Sequence, residues 1–138
     1  MGKKRGFKAS QNKGQKFQAR TSRQESPEQQ PPYFSLRYMN NDFCLSLCET
    51  KEKAAFADTL YRLSQLPWAQ LKQQNRHGLG YEIIARHSIK SGIPSHIKDD
   101  VNFIAFRFHG KKAMVGYRDG HIFHVIWLDR AFKLYKHQ

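Results

Sequence analysis

Asn102 to His137 reads N-F-I-A-F-R-F-H-G-K-K-A-M-V-G-Y-R-D-G-H-I-F-H-V-I-W-L-D-R-A-F-K-L-Y-K-H, and this stretch decides the fold. Phe103 to Phe108 alternates aromatic and β-branched residues with small or charged ones, which predicts a strand. His109-Gly110-Lys111 makes a turn, and Ala113 to Tyr117 is a short second strand. Asp119-Gly120 is the strongest hairpin signal in the chain. His121 to Leu128 is nearly all aromatic and aliphatic, the pattern of a central strand buried on both faces. Onto this antiparallel meander are threaded Arg107, Lys111, Lys112, Arg118, Arg130, Lys133 and Lys136, opposed only by Asp119 and Asp129. His109, His121, His124 and His137 lie here too. An apolar sheet with cations and imidazoles at its strand ends is a candidate anion-handling surface.

Working outward, the 138 residues leave room for one domain and one tail. A formal net charge of +13 argues against a small-metabolite enzyme and for a polyanionic partner. Nucleic acid fits better than a membrane surface, because no cationic amphipathic helix is evident. No apolar run approaches the ~20 residues a membrane span needs. The N-terminus begins with charge and has no apolar h-region, so the expected location is the cytoplasm and no membrane partner is expected. Cys44 and Cys48 are the two cysteines. On a strand they would lie about 13 Å apart, beyond disulfide reach. Without further Cys or His at ligand spacing they read as small buried residues, and neither a metal nor a cofactor is expected.

Residues 1–32 carry no periodic apolar pattern and end in S-P-E-Q-Q-P-P, which predicts a disordered basic arm bounded by Pro31-Pro32. Eight Lys and Arg against Glu25 and Glu28 give it +6, so residues 33–138 keep +7. The arm is either a solvated tail or a non-specific nucleic-acid tether. Phe34, Leu36 and Tyr38 alternate as a first strand, and Phe43 to Leu47 either extends it or leads into the first helix. Thr50 offers an N-cap and Glu52 a favourable first-turn charge. Phe56, Leu60 and Leu63 then mark one face of a helix. Pro67 stops that helix and opens a second, Trp68 to Gln74, so a helical hairpin lying across the sheet is expected. Trp68 reads as its core anchor. Arg76-His77 suits a helix C-terminus, and Tyr81 to His87 begins another strand. The fold class is α+β: an N-terminal strand, a helical hairpin, then an antiparallel sheet of three or four strands.

Several chemistries lack their residues. No glycine-rich phosphate loop opens a helix, carboxylates are too few for two-metal nuclease chemistry, and no serine occupies a nucleophile elbow. What remains is metal-free handling of phosphodiesters. Cleaving RNA through its 2′-hydroxyl needs a proton acceptor, cations for the developing phosphorane charge, and a proton donor for the leaving oxygen. Arg107, Lys112, Arg118 and Arg130 can supply charge, and Tyr135, His137 or His124 proton transfer. Strand alternation places His124 and Arg130 on one face, with Phe123, Val125 and Trp127 on the other. The plainer alternative is that Arg118, Asp129 and Arg130 form surface ion pairs of little consequence.

Strand, helical hairpin and meander with a basic-aromatic tail resemble the RelE/ParE superfamily of small bacterial toxins. The segments F-C-L-S-L-C-E, L-S-Q-L-P-W, R-H-G-L-G-Y-E, F-R-F, M-V-G-Y-R and F-H-V-I-W-L-D-R-A-F-K-L-Y-K-H together look like its ParE-like group, over residues 33–138. The resemblance implies a type II toxin–antitoxin role with a cognate antitoxin as partner. RelE-like members cleave mRNA, commonly on the ribosome, whereas ParE-like members poison DNA gyrase. Strand for strand it implies Arg107, Lys112, Arg130, Tyr135 and His137 as catalytic candidates. Lys111, Arg118, His124, Lys133, Arg76 and His77 are candidates for RNA binding. This set favours a nuclease over a gyrase poison or a non-catalytic nucleic-acid binder. Arg118 has no clear family counterpart, and Asp129 beside Arg130 departs from the pattern.

Overall fold

The structure is a computed structural model that describes residues 26–76 and 78–136. The class is α+β, and one mixed sheet of five strands organises it in the order β1-β5-β4-β3-β2. The strands are β1 (Tyr33–Ser35), β2 (Tyr81–Ile84), β3 (Phe103–His109), β4 (Lys112–Asp119) and β5 (Ile122–Asp129). The meander β3-β4-β5 is antiparallel as expected, with β2 added antiparallel to β3. β1 instead runs parallel to β5, pairing Tyr33 with Ile122 and Ser35 with His124. Gly110 and Gly120 close the two hairpins at φ +59° and +65°, in the left-handed region that glycine enters at least cost.

The helical hairpin is reduced to one helix and a single turn. α1 spans Thr50–Leu63, and α2 only Trp68–Leu71. Beyond Leu71 the N–H groups of Gln73 and Gln74 bond to carbonyls three residues back, so the expected helix to Gln74 tightens out of α geometry. Only Trp68 and Leu71 bury from this segment, which leaves little to hold a longer helix. The N-cap of α1 is Glu49 rather than Thr50. Its side chain and that of Glu52 form a reciprocal capping box. Residues 41–43 and 45–47, the expected strand extension, form two 3₁₀ turns, so Cys44 and Cys48 flank a turn and not a strand.

Both sheet faces are covered. On one, Phe56, Leu63, Trp68 and Leu71 pack against Phe106, Met114 and Phe123. On the other, the β2–β3 connection lays Ile89, Ile93, Ile97 and Val101 over a layer that includes Phe103, Val115 and Trp127. Trp68 is fully buried and is the core anchor expected of it. Residues 26–32, assigned by sequence to the arm, belong in part to the body. Pro27–Gln29 form a 3₁₀ turn, the Gln30 carbonyl accepts the Trp68 N–H at 3.0 Å, and Glu28 pairs with Arg118 at 2.7 Å. Three prolines restrict this segment in the unfolded chain, so holding it costs less entropy than its composition suggests. Residues 1–25 of the expected arm lie outside the described residues.

The pairing of β4 with β5 shifts register: Val115 faces Trp127, but Gly116 faces Val125. Ile126 is therefore an extra residue, a bulge, and it reverses the inside–outside alternation of β5. Phe123 and Val125 share the α1 face with Leu128, while Trp127 joins the opposite layer. Gly116 makes this possible, because a Cβ there would lie 1.8 Å from the His124 carbonyl oxygen.

Candidate functional site

The eleven sequence candidates do not form one site; the bulge and two ion-pair clusters divide them. Arg107, on β3 opposite Ala113, faces away from α1, and Lys111 follows in the turn to β4. These two line a cleft of about 340 Å³ with Arg76, Glu82, Tyr135 and Lys136. Its floor is the small side chains Ala105 and Ala113, which leave depth between the cations.

Tyr135 reaches the cleft because the chain after β5 turns back sharply. Asp129, fully buried, accepts the backbone N–H groups of Lys133 at 2.8 Å and Leu134 at 3.2 Å. Phe132 takes a left-handed backbone, φ 57°, within this turn. The Leu134 carbonyl then accepts the Lys90 N–H at 2.7 Å, and Leu134 is fully buried. Asp129 thus caps the turn that carries Tyr135. Burial pushes the Tyr135 phenol up to about 12, with the Glu82 and Asp129 charges adding and Arg107 and Arg76 opposing. Tyr135 is accordingly a proton donor at neutral pH and not a base.

Glu82 is the carboxylate of this cleft, and it was not among the sequence candidates. It pairs with Arg76 at 3.3 Å. The alternation of β2 held the signal: Tyr81 packs with the α1-side core, so Glu82 points to the opposite face. The Arg76 expected to cap a helix C-terminus thus orients an acid instead.

Lys112 and Arg130, assigned to the scissile phosphate, sit on the other side of the sheet, bound to Glu52. The fully buried Glu52 accepts Lys112 Nζ at 2.5 Å, Arg130 Nε at 2.7 Å and the Glu49 N–H at 2.7 Å. Burial alone would raise its pKa, but the Arg130 and Lys112 hydrogen bonds outweigh that and hold it at about 2. These cations are matched by a buried anion and serve the junction of α1 with the sheet. Neither residue lines the cleft of Arg107 and Tyr135.

Arg118 also stands outside the cleft. Its guanidinium lies 4.1 Å from the Trp68 ring centroid and pairs with Glu28, which also meets Lys72 at 3.5 Å. It clamps residues 26–32 to the body. His124 does not share a face with Arg130, since the bulge separates them. It stacks on Tyr117, ring centroids 4.8 Å apart, and burial lowers its pKa. The Lys133 side chain lines a smaller groove with Phe43, Leu47 and Arg130, away from the cleft. His77 and His137 lie outside the described residues.

Among the described residues no three His, Cys, Asp or Glu side chains stand close enough to share a metal ion, and no helix is long and apolar enough to cross a membrane. Comparison of the chain with protein-family models, with curated proteins and with solved structures finds no match in any of the three.

Proposed function

We propose that the chain is a RelE/ParE-type toxin that cleaves RNA without a metal ion, at the cleft of Arg107, Lys111, Glu82 and Tyr135. One observation carries the reading. An acid, a protonated phenol and several cations, drawn from β2, β3, the β3–β4 turn and the tail, converge on one cleft. Glu82 takes the proton from the 2′-hydroxyl as that oxygen attacks phosphorus. Arg107 and Lys111 stabilise the added charge on the phosphorane, and Arg76 orients Glu82. As the bond from phosphorus to the 5′-oxygen breaks, Tyr135 gives its proton to that oxygen. A 2′,3′-cyclic phosphate and a 5′-hydroxyl result, and solvent returns the protons. The substrate is mRNA, so the site of action is the cytoplasm, and an antitoxin neutralises the protein by covering the cationic cleft with acidic side chains.

The support is the cleft together with the basic body and the coarse order of elements. Inducible expression in a bacterial host, with growth and RNA 5′-end mapping followed together, tests it. Arrest with new 5′-hydroxyl ends in translated messages is the expected result, abolished by Glu82→Gln. Arrest without new ends would transfer the reading to gyrase. No arrest would leave a nucleic-acid binder.

A further inference from the structure

The β2–β3 connection packs Ile89, Ile93, Ile97 and Val101 on the sheet, and its polar tie to β5 is the Trp127 indole N–H, which donates to Ser91 Oγ at 3.2 Å. Arg86 braces the connection internally through the carbonyls of Ile97 and Lys98. At its far end His96 is held in a cage of rings. Its Nε2 lies 3.1 Å from the Tyr117 hydroxyl, and its ring centroid 4.2 Å from that of Tyr38. His124 closes the cage, nearly parallel to Tyr117 and 5.5 Å from Tyr38. The Nδ1 atom of His124 is buried and has no hydrogen-bond partner.

We propose that residues 89–101 form a proton-operated latch: protonation of His124 opens the ring cage, releases the connection from Trp127 and slackens the tail that bears Tyr135. The final step, control of the cleft, rests on the RNA-cleaving reading above; the latch itself does not. A proton on His124 puts an N–H donor on the buried Nδ1 atom, which has no hydrogen-bond partner. The groups facing it are the Tyr38 phenol from the β1–α1 connection, with Arg37 5.4 Å from that ring, and His96 from the β2–β3 connection. From β4 they are Tyr117 and Asp119. Asp119 alone favours the charged form, and it is exposed at the strand end. Burial and His96 oppose it and prevail.

The sign follows. The closed cage prefers neutral His124, and an open one returns it to the ordinary value of 6.5. The latch is therefore shut above that pH and opens as pH falls below it. Opening also slackens the tail, because Lys90, beside Ser91, donates to the Leu134 carbonyl next to Tyr135.

Hydrogen exchange of the two tryptophan indoles, read by NMR on the full chain without RNA, tests the latch. The Trp68 indole bonds the His121 carbonyl and serves as internal reference, cancelling the intrinsic pH dependence. Between about pH 7.5 and 5.5 the Trp127-to-Trp68 exchange ratio should rise several-fold, to at most about tenfold, and track the titration of the His124 ring resonances. His124→Phe, which keeps the stack on Tyr117, should hold the ratio flat. A flat ratio in the wild type, a rise that departs from the His124 titration, or an equal rise in His124→Phe would overturn the proposal. Because no RNA is present, a chain that cleaves nothing tests the latch equally well.

Discussion

Glu52 and Arg130 meet at 2.7 Å, where the first turn of α1 reaches the end of β5, and Glu52 has no solvent-exposed surface. Lys112 completes the contact from β4. The cations of the sheet are thereby sorted into those neutralised on the α1 face and those gathered around the opposite cleft.

Removing the Glu52 charge should destabilise the fold. Glu52→Gln leaves Lys112 and Arg130 partly buried beside an uncharged group, at a cost of about 3 kcal/mol at neutral pH. Because the folded-state pKa of about 2 lies below the ordinary 4.5, this contribution is present above 4.5 and lost as pH falls through 2. Urea denaturation of both proteins from neutral to acid pH checks it. A difference under about 1 kcal/mol at pH 7 would contradict it.

Arg130 and Arg107 should separate stability from activity. Arg130→Ala is expected to lower Tm by several degrees while folded molecules cleave RNA at a near-normal rate. Arg107→Ala should reduce cleavage on the order of a hundredfold with little change in Tm. The converse pattern would return Arg130 to the catalytic site.

Glu82→Gln and Tyr135→Phe should each slow single-turnover RNA cleavage by about 10² to 10⁴. Tyr135 also predicts an alkaline signature. Its folded-state pKa near 12 exceeds the ordinary 10, so its contribution to stability holds below 10 and is lost as pH rises toward 12. That limb of the stability profile should flatten in Tyr135→Phe, as thermal melts in alkaline buffer would register.

Gly116→Ala should be the most damaging small substitution in β4. Its Cβ would meet the His124 carbonyl carbon at 2.8 Å as well as the oxygen, and both are backbone atoms with nowhere to yield. A loss of about 3 kcal/mol, the upper end for overpacking, is expected. Retention of wild-type Tm would mean that the bulge at Ile126 can be relieved.

Much of the strand layout was legible because its signals are local. Asp119-Gly120 and the alternation of Phe103 to Phe108 report turn chemistry and pleat without reference to the rest of the chain. Trp68 and the face of α1 were readable for the same reason. The candidate site was only half legible. Arg107, Lys111, Tyr135 and Arg76 reach one cleft, whereas Lys112 and Arg130 do not.

What the amino-acid sequence determined by itself was the α+β class, the meander β3-β4-β5, the cationic balance and the apolar core, all from short-range pattern and composition. Tertiary structure alone decided which face each cation occupies. Period-two alternation assumes an unbroken register, and one extra residue at Ile126, admitted by Gly116 on the neighbouring strand, reverses it. It also decided which carboxylate matches which cation, because Glu52 meets Lys112 and Arg130 across 60 and 78 positions of chain. Coulombic partners are chosen by distance in space, and that distance exists only once the sheet and α1 have packed.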